Sequence, residues 1–174
     1  IMKQVILALV PVAIAAVYYF RISALFVMFF CILGTVGSEF LYQKLTKQKS
    51  TIGDCSAIVT GLLLAFNVPA SLPWWMCILG GVFAIIVVKM LFGGLGNNFV
   101  NPALAGRAFL LASFPVAMTA WTKTGVNWVS GGSLDAGSTA TPLSFLKSGA
   151  AGLAPLKESG VSLMDMALGN IGGC

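Results

Sequence analysis

The chain has 174 residues, 58% of them apolar and only 9% charged, with a mean hydropathy of +0.96. A water-soluble core cannot absorb that much apolar surface, so a soluble globular fold is excluded and an integral membrane protein is implied. The formal charge of +5 would suggest nucleic acid in a soluble protein, but here the cations sit mainly between apolar runs, where membrane topology accounts for them and no nucleic-acid partner is expected.

At about 20 apolar residues per crossing, the length allows roughly four to six spans or half-spans in a single membrane domain, 1–174. The first apolar stretch, Lys3 to Phe20, lacks the small-residue cleavage site and polar mature domain of a signal peptide, so it reads as a span. The second runs from Ile22 to Tyr42, with only Arg21 and its neighbours between them, which predicts a tight helical hairpin over 1–43. A basic linker follows, Lys44-Leu45-Thr46-Lys47-Gln48-Lys49, and Gly53-Asp54 supplies an N-cap for the next helix. That third segment, Cys55 to Val68, ends at Pro69 and is short for a crossing, so a broken or tilted helix is expected.

Pro73-Trp74-Trp75 has the form of an interfacial anchor and starts the fourth segment, which reaches about Phe92. The Gly/Asn-rich turn Gly93-Gly94-Leu95-Gly96-Asn97-Asn98 leads to a fifth segment, Pro102 to about Met118, which places proline where a helix tolerates it best. The whole of 55–118 is thus a set of helices around that turn. The region 120–162 is too rich in Gly, Ser, Thr and Ala to cross lipid and is read as an extramembrane loop. Residues 163–174 begin a further membrane segment. The chain opens on Ile1 and stops at Cys174 straight after Asn170-Ile171-Gly172-Gly173, and so reads as a fragment.

Lys44, Lys47 and Lys49 share one short loop, with Lys3 on the same side, which puts the Lys44 to Lys49 loop in the cytoplasm. Alternation then places the Gly93 to Asn98 turn inside and the loop containing Thr141 on the outer face. Lys123, Lys147 and Lys157 weigh against that orientation, though long outer loops obey the rule poorly.

Cys31, Cys55, Cys77 and Cys174 are scattered without CxxC spacing, and the chain has no histidine, so no metal centre is expected within it. A cluster ligand shared with another subunit is the one cofactor role left to Cys31. Lys89, near the end of the fourth segment, is expected to snorkel, and Glu39 to cap an interface or pair with Lys44, with a part in ion movement as the alternative. Gly34-Thr35-Val36-Gly37 and Gly80-Gly81 read as sites of close helix packing.

The densest chemistry lies in Asp135-Ala136-Gly137-Ser138-Thr139-Ala140-Thr141-Pro142-Leu143, which combines three hydroxyls with an acid at fixed offset. By residue type alone it is either a solvated Ser/Thr turn or a loop presented to a modifying enzyme. The pattern D-x-x-S/T-x-A-T resembles the covalent flavin-attachment signature shared by the D subunit of Rnf complexes and the homologous B subunit of sodium-pumping NADH:quinone reductases. A second stretch in register with it, from Phe92 through Gly93-Gly94-Leu95-Gly96-Asn97-Asn98-Phe99-Val100-Asn101-Pro102-Ala103-Leu104 to Gly106-Arg107-Ala108-Phe109, resembles the G-G-x-G-x-N-x-x-N-P-A stretch of the same families. The order Phe114 to Trp121 and Thr141-Pro142-Leu143 is closer to the Rnf subunit.

The resemblance implies an all-α, multi-span helical bundle, one half of an inverted-repeat fold, with an outer flavin-bearing loop. It implies FMN joined by a phosphoester to Thr141, with Asp135, Ser138 and Thr139 read by a flavin transferase, and a non-covalent riboflavin beside Asn98 and Asn101. It further implies a place in a multi-subunit complex of the inner or plasma membrane. There electrons would come from an outer FMN-carrying subunit, pass between ferredoxin and NAD, and drive sodium or proton transport. On residue chemistry, the glycines permit close approach and the asparagines offer donors and acceptors at a helix start, though the same residues suit a capped turn. Arg107, about 9 Å into its helix, either neutralises an anionic flavin or phosphate or snorkels. The rival class is a transporter subunit with no redox group, built from broken helices around Arg107.

Overall fold

The computed structural model describes residues 2–47, 51–94, 96–98 and 100–120, and every described element is helical. The order is α1 (Met2–Leu45), a 3-10 turn (Ile52–Asp54), α2 (Ser56–Ala65), α3 (Trp74–Phe83) running on into a π-helical stretch (Ala84–Met90), α4 (Pro102–Ser113) and α5 (Pro115–Thr119). The loop 120–162 lies outside the described residues except for Ala120, as does the segment 163–174.

Helix α1 is broken at Arg21, which has φ 52° and ψ −133°, a conformation that costs any residue with a Cβ. The break falls at the expected turn between the first two segments. In a straight helix Val12 and Met28 would lie about 24 Å apart; here both line one apolar cavity of about 330 Å³ with Ala65, Phe66 and Val68. Ala13, Ala16, Val17 and Phe20 from the first half accordingly pack on a core that holds Ala24, Val27 and Met28 from the second.

Among the described residues α1 is the one helix long and apolar enough to cross a membrane, with a mean hydropathy of 2.2 over its most apolar window. Trp74–Met90 and Ser56–Ala65 are shorter apolar helices. Surface and interior are inverted relative to a protein in water. Leu7, Tyr18, Phe29, Phe40, Leu41 and Val116 are exposed, whereas Ser23, Thr35, Ser38, Glu39, Gln43, Ser56, Thr60 and Lys89 are buried. Lipid rather than water is the solvent that makes such a surface stable. The buried hydroxyls of Thr35 and Thr60 are satisfied within their own helices: Thr35 donates to the Cys31 carbonyl at 3.1 Å, and Thr60 to that of Ser56 at 3.0 Å.

Small residues set how closely the helices approach. A Cβ on Gly34 would lie 2.9 Å from the Ile78 Cα and its carbonyl oxygen, and one on Gly61 would lie 2.9 Å from the Ile32 Cα. So α1 meets α3 and α2 at backbone distance, as the Gly34 and Gly80-Gly81 runs predict, while a Cβ on Gly37 would meet nothing within 4 Å among the described residues. At the same crossing Cys31 on α1 and Cys77 on α3 are both fully buried.

Two elements differ from the sequence expectation. The fifth segment is not one helix: Phe114 adopts φ −133° and ψ 61°, because Pro115 excludes its predecessor from helical geometry, and the chain restarts as α5. The fourth segment begins on Pro73 as expected, but its last part widens into a π-helix, with the Leu91 amide donating to the Ile86 carbonyl, five residues back, at 3.1 Å.

Candidate functional site

Two polar constellations interrupt the apolar bundle. The first is the Gly/Asn turn after the π-helical stretch. Gly93, Gly94 and Gly96 have φ of 92°, 101° and 97°, a region closed to side-chain-bearing residues at low cost, so the helix stops there and the chain turns. The Gly94 amide closes that end by donating to the Lys89 carbonyl at 3.0 Å. Asn98 is half-buried: its Oδ1 accepts from the Gly96 amide at 3.1 Å and its Nδ2 donates to the Val100 carbonyl at 3.2 Å. Asn101 is the N-cap of α4, its Oδ1 accepting from the Ala103 amide at 3.0 Å, and Pro102 takes the first helical position. The capped-turn reading therefore describes what both asparagine oxygens do. Among the described residues the Asn101 amide nitrogen has no hydrogen-bond partner.

Arg107 projects from α4 toward the turn that follows α2. It is half-buried, and its Nη1 donates to the Asn67 Oδ1 at 3.3 Å, while the Asn67 amide donates to the Leu63 carbonyl at 2.8 Å. Its described partner is thus neutral, which leaves the guanidinium charge uncompensated among the described residues. Arg107 and the two asparagines share α4 and the turn before it, but no hydrogen bond joins them.

The second constellation overturns two expectations. Lys89 does not snorkel: it is 1% exposed, and its Nζ donates to Glu39 Oε2 at 2.8 Å and to Ser56 Oγ at 2.6 Å. Glu39 does not pair with Lys44, whose ammonium instead lies 5.9 Å from the centre of the Phe40 ring. The other oxygen of Glu39, Oε1, accepts from Thr51 Oγ1 at 2.6 Å and from Gln43 Nε2 at 3.1 Å. Gln43 Nε2 also donates to Thr51 Oγ1 at 2.6 Å, and its Oε1 accepts from the Thr51 amide at 3.2 Å. Asp54 holds the start of α2 by accepting from the Ser56 amide at 2.8 Å, one residue ahead of the formal cap Cys55. α1, the 51–56 turn, α2 and the π-helical stretch thus converge on one neutral, hydrogen-bonded ion pair away from solvent.

Thr141, Asp135, Ser138 and Thr139 lie outside the described residues. Among the described residues no group of three or more potential metal ligands comes together.

The sequence model of the NQR2, RnfD, RnfE family matches residues 1–174. The chain belongs to this family. It is 48% identical over 155 residues, 89% of its length, to the D subunit of the Na(+)-translocating ferredoxin:NAD(+) oxidoreductase complex of Acetobacterium woodii. It is 44% identical over 147 residues, 84% of its length, to the D subunit of the proton-translocating ferredoxin:NAD(+) oxidoreductase complex of Clostridium ljungdahlii, and 43% identical over 124 residues, 70% of its length, to the D subunit of the ion-translocating oxidoreductase complex of Buchnera aphidicola. These matches cover 46%, 43% and 35% of those relatives, so the chain spans less than half the length of each. The resemblance drawn from the two motifs points, like the names of these relatives, to the D subunit of Rnf complexes within that family.

Proposed function

We propose that this chain is part of the membrane subunit of a redox-driven, ion-translocating enzyme complex that passes electrons between ferredoxin and NAD, with FMN on Thr141 and a non-covalent riboflavin near the Gly93 to Asn101 turn. The observation that carries the reading is the 48% identity to a D subunit named for that activity, over a chain that holds both flavin-associated motifs in register. In this arrangement 2–20 and 22–45 form an antiparallel pair of spans, the Lys44 to Lys49 loop faces the cytoplasm, and the Thr141 loop faces outward. The remaining subunits, including an outer FMN-carrying one, and a flavin transferase are the partners it requires. A quinone-reducing sodium pump is the neighbouring reading within the same family.

The described residues suit a flavin in two respects. The Asn101 amide is a donor with no described partner at the start of α4, where the helix dipole favours partial negative charge. Arg107 is a half-buried cation held by a neutral amide, ready to stabilise negative charge nearby. The flavins supply the redox chemistry when bound, and these residues supply position, donors and charge.

Covalent attachment is tested by in-gel flavin fluorescence of the denatured full-length protein co-expressed with a flavin transferase. A fluorescent wild-type band and a dark Thr141→Ala band are expected. If neither fluoresces although the transferase is active, the motif match has misled and a non-redox transporter becomes the better reading. At the riboflavin site, Asn101→Ala is expected to lower stability by about 1 kcal/mol through loss of the cap. Asn101→Asp keeps an oxygen for the Ala103 amide but removes the donor, so it should retain stability and lose non-covalent flavin. Equal flavin content in wild type and Asn101→Asp would remove Asn101 from the site.

A further inference from the structure

The break in α1 carries an inference that does not rest on the flavin reading. We propose that the α1 hairpin seats an anionic two-chain phospholipid, its phosphate on Arg21 and one acyl chain in each of two apolar hollows beside it.

The first hollow, of about 330 Å³, lies between the two halves of α1 and the end of α2, and Ala15, Ala16, Tyr19, Phe20 and Ala24 line it around the break. No charged side chain lines it. It has about twice the volume of an apolar cavity that takes up benzene, so several methylenes of a chain fit within it. Val12 and Ala15 on its rim are exposed, so a chain enters sideways from the lipid. The second hollow, of about 310 Å³, runs along the surface between Val17, Arg21, Ile22 and Leu25. Arg21 thus lines one hollow, and its neighbours Tyr19 and Phe20 line the other.

Charge identifies the head of the occupant. Arg21 is exposed and makes no ion pair among the described residues, where the one such pair joins Glu39 to Lys89. Both described acids are remote: Glu39 lies about 27 Å further along α1, and Asp54 caps α2 at that same end of the bundle. An arginine at a membrane turn calls for a counter-charge, and its planar fork matches a phosphate with two parallel hydrogen bonds. Tyr18, 78% exposed, and Tyr19, with ring centroids 5.3 Å apart, mark this turn as the headgroup level. Glycine would form the break more easily at φ 52° and ψ −133°, so an arginine held there points to a use for its side chain. A lone cation flanked by two hollows matches a phosphate that carries two chains, whereas free phosphate would leave both hollows unused.

The test places the full-length protein in nanodiscs of equal parts phosphatidylglycerol and phosphatidylcholine, transfers it to detergent, and counts retained lipids of each kind by native mass spectrometry. Thermal unfolding is read as each lipid is returned to delipidated protein. Wild type should hold one phosphatidylglycerol with a preference of about fivefold or more over phosphatidylcholine, and phosphatidylglycerol should raise its unfolding midpoint further. Arg21→Gln keeps the Cβ and the strained backbone but removes the charge, and its preference should fall to parity. Ala15→Trp and Leu25→Trp keep the charge and each fill one hollow, so each should lower retention severalfold. Absence of a preference in wild type, an unchanged preference in Arg21→Gln, or full retention in both tryptophan variants overturns the proposal, the last by showing attraction to the bilayer surface alone. Should Arg21→Gln not fold, wild type is compared with two-chain and one-chain phosphatidylglycerol: tighter retention of the two-chain lipid is expected, and equal retention overturns the seat.

Discussion

Glu39→Gln is expected to lower the unfolding free energy by about 3–5 kcal/mol, and Lys89→Met by a similar amount, because each strands the opposite charge in the interior. The effect is large because neither group has another charged partner among the described residues: the remaining contacts of the pair there are the hydroxyls of Ser56 and Thr51 and the amide of Gln43. Combining the two substitutions removes both charges together, so the double variant should cost much less than the sum of the singles. Denaturant or thermal unfolding of the four proteins in one detergent closes the cycle. Additive losses would show that Glu39 and Lys89 act independently, and the ion pair would then have no energetic role.

Where local chemistry dictates a boundary, the sequence was legible. Pro73 and Asn101-Pro102 start helices, the glycines at 93 and 94 end one, and Arg21 marks the break in α1. The pairing of Glu39 with Lys89 was not, because its partners lie 50 residues apart and proximity in sequence favoured Lys44. Helix geometry already argued against that choice. Residues five apart lie on different faces, whereas position 43, four along, shares the face of Glu39, and Gln43 is indeed its neighbour. Two opposite charges placed alone in apolar segments are the signal that would have found the pair. The π-helical stretch has no signature in Ala84-Ile85-Ile86-Val87-Val88-Lys89-Met90, an apolar run ending on Lys89 that would suit an α-helix equally. Arg107 was legible as an intramembrane cation in need of company, but its described partner, Asn67, lies 40 residues away across α2 and α4. The proposed flavin-attachment residues rest on resemblance alone, because a Ser/Thr-rich loop has no periodicity from which chemistry can be read.

Gly34→Ala should destabilise the bundle by about 1–3 kcal/mol, although alanine is the better helix former. The added Cβ would come within 2.9 Å of the Ile78 Cα and carbonyl oxygen, and backbone cannot swing aside as a flexible side chain can. Relief requires α1 and α3 to separate, and they are also held in register by the reciprocal approach of Gly81, whose Cβ would meet the Thr35 amide nitrogen at 3.0 Å. That separation reaches the ion pair, because Glu39 lies five residues, or about 7.5 Å, along α1 from Gly34. Gly37→Ala is the built-in control: among the described residues nothing lies within 4 Å of its Cβ, so the gain in helix propensity should stabilise by about 0.5–1 kcal/mol. The two substitutions make the same chemical change three residues apart on one helix, and thermal unfolding should move them in opposite directions. If both shift the same way, the backbone contact between α1 and α3 is not what fixes their spacing, and the buried cluster beyond it would have to be held by its hydrogen bonds alone.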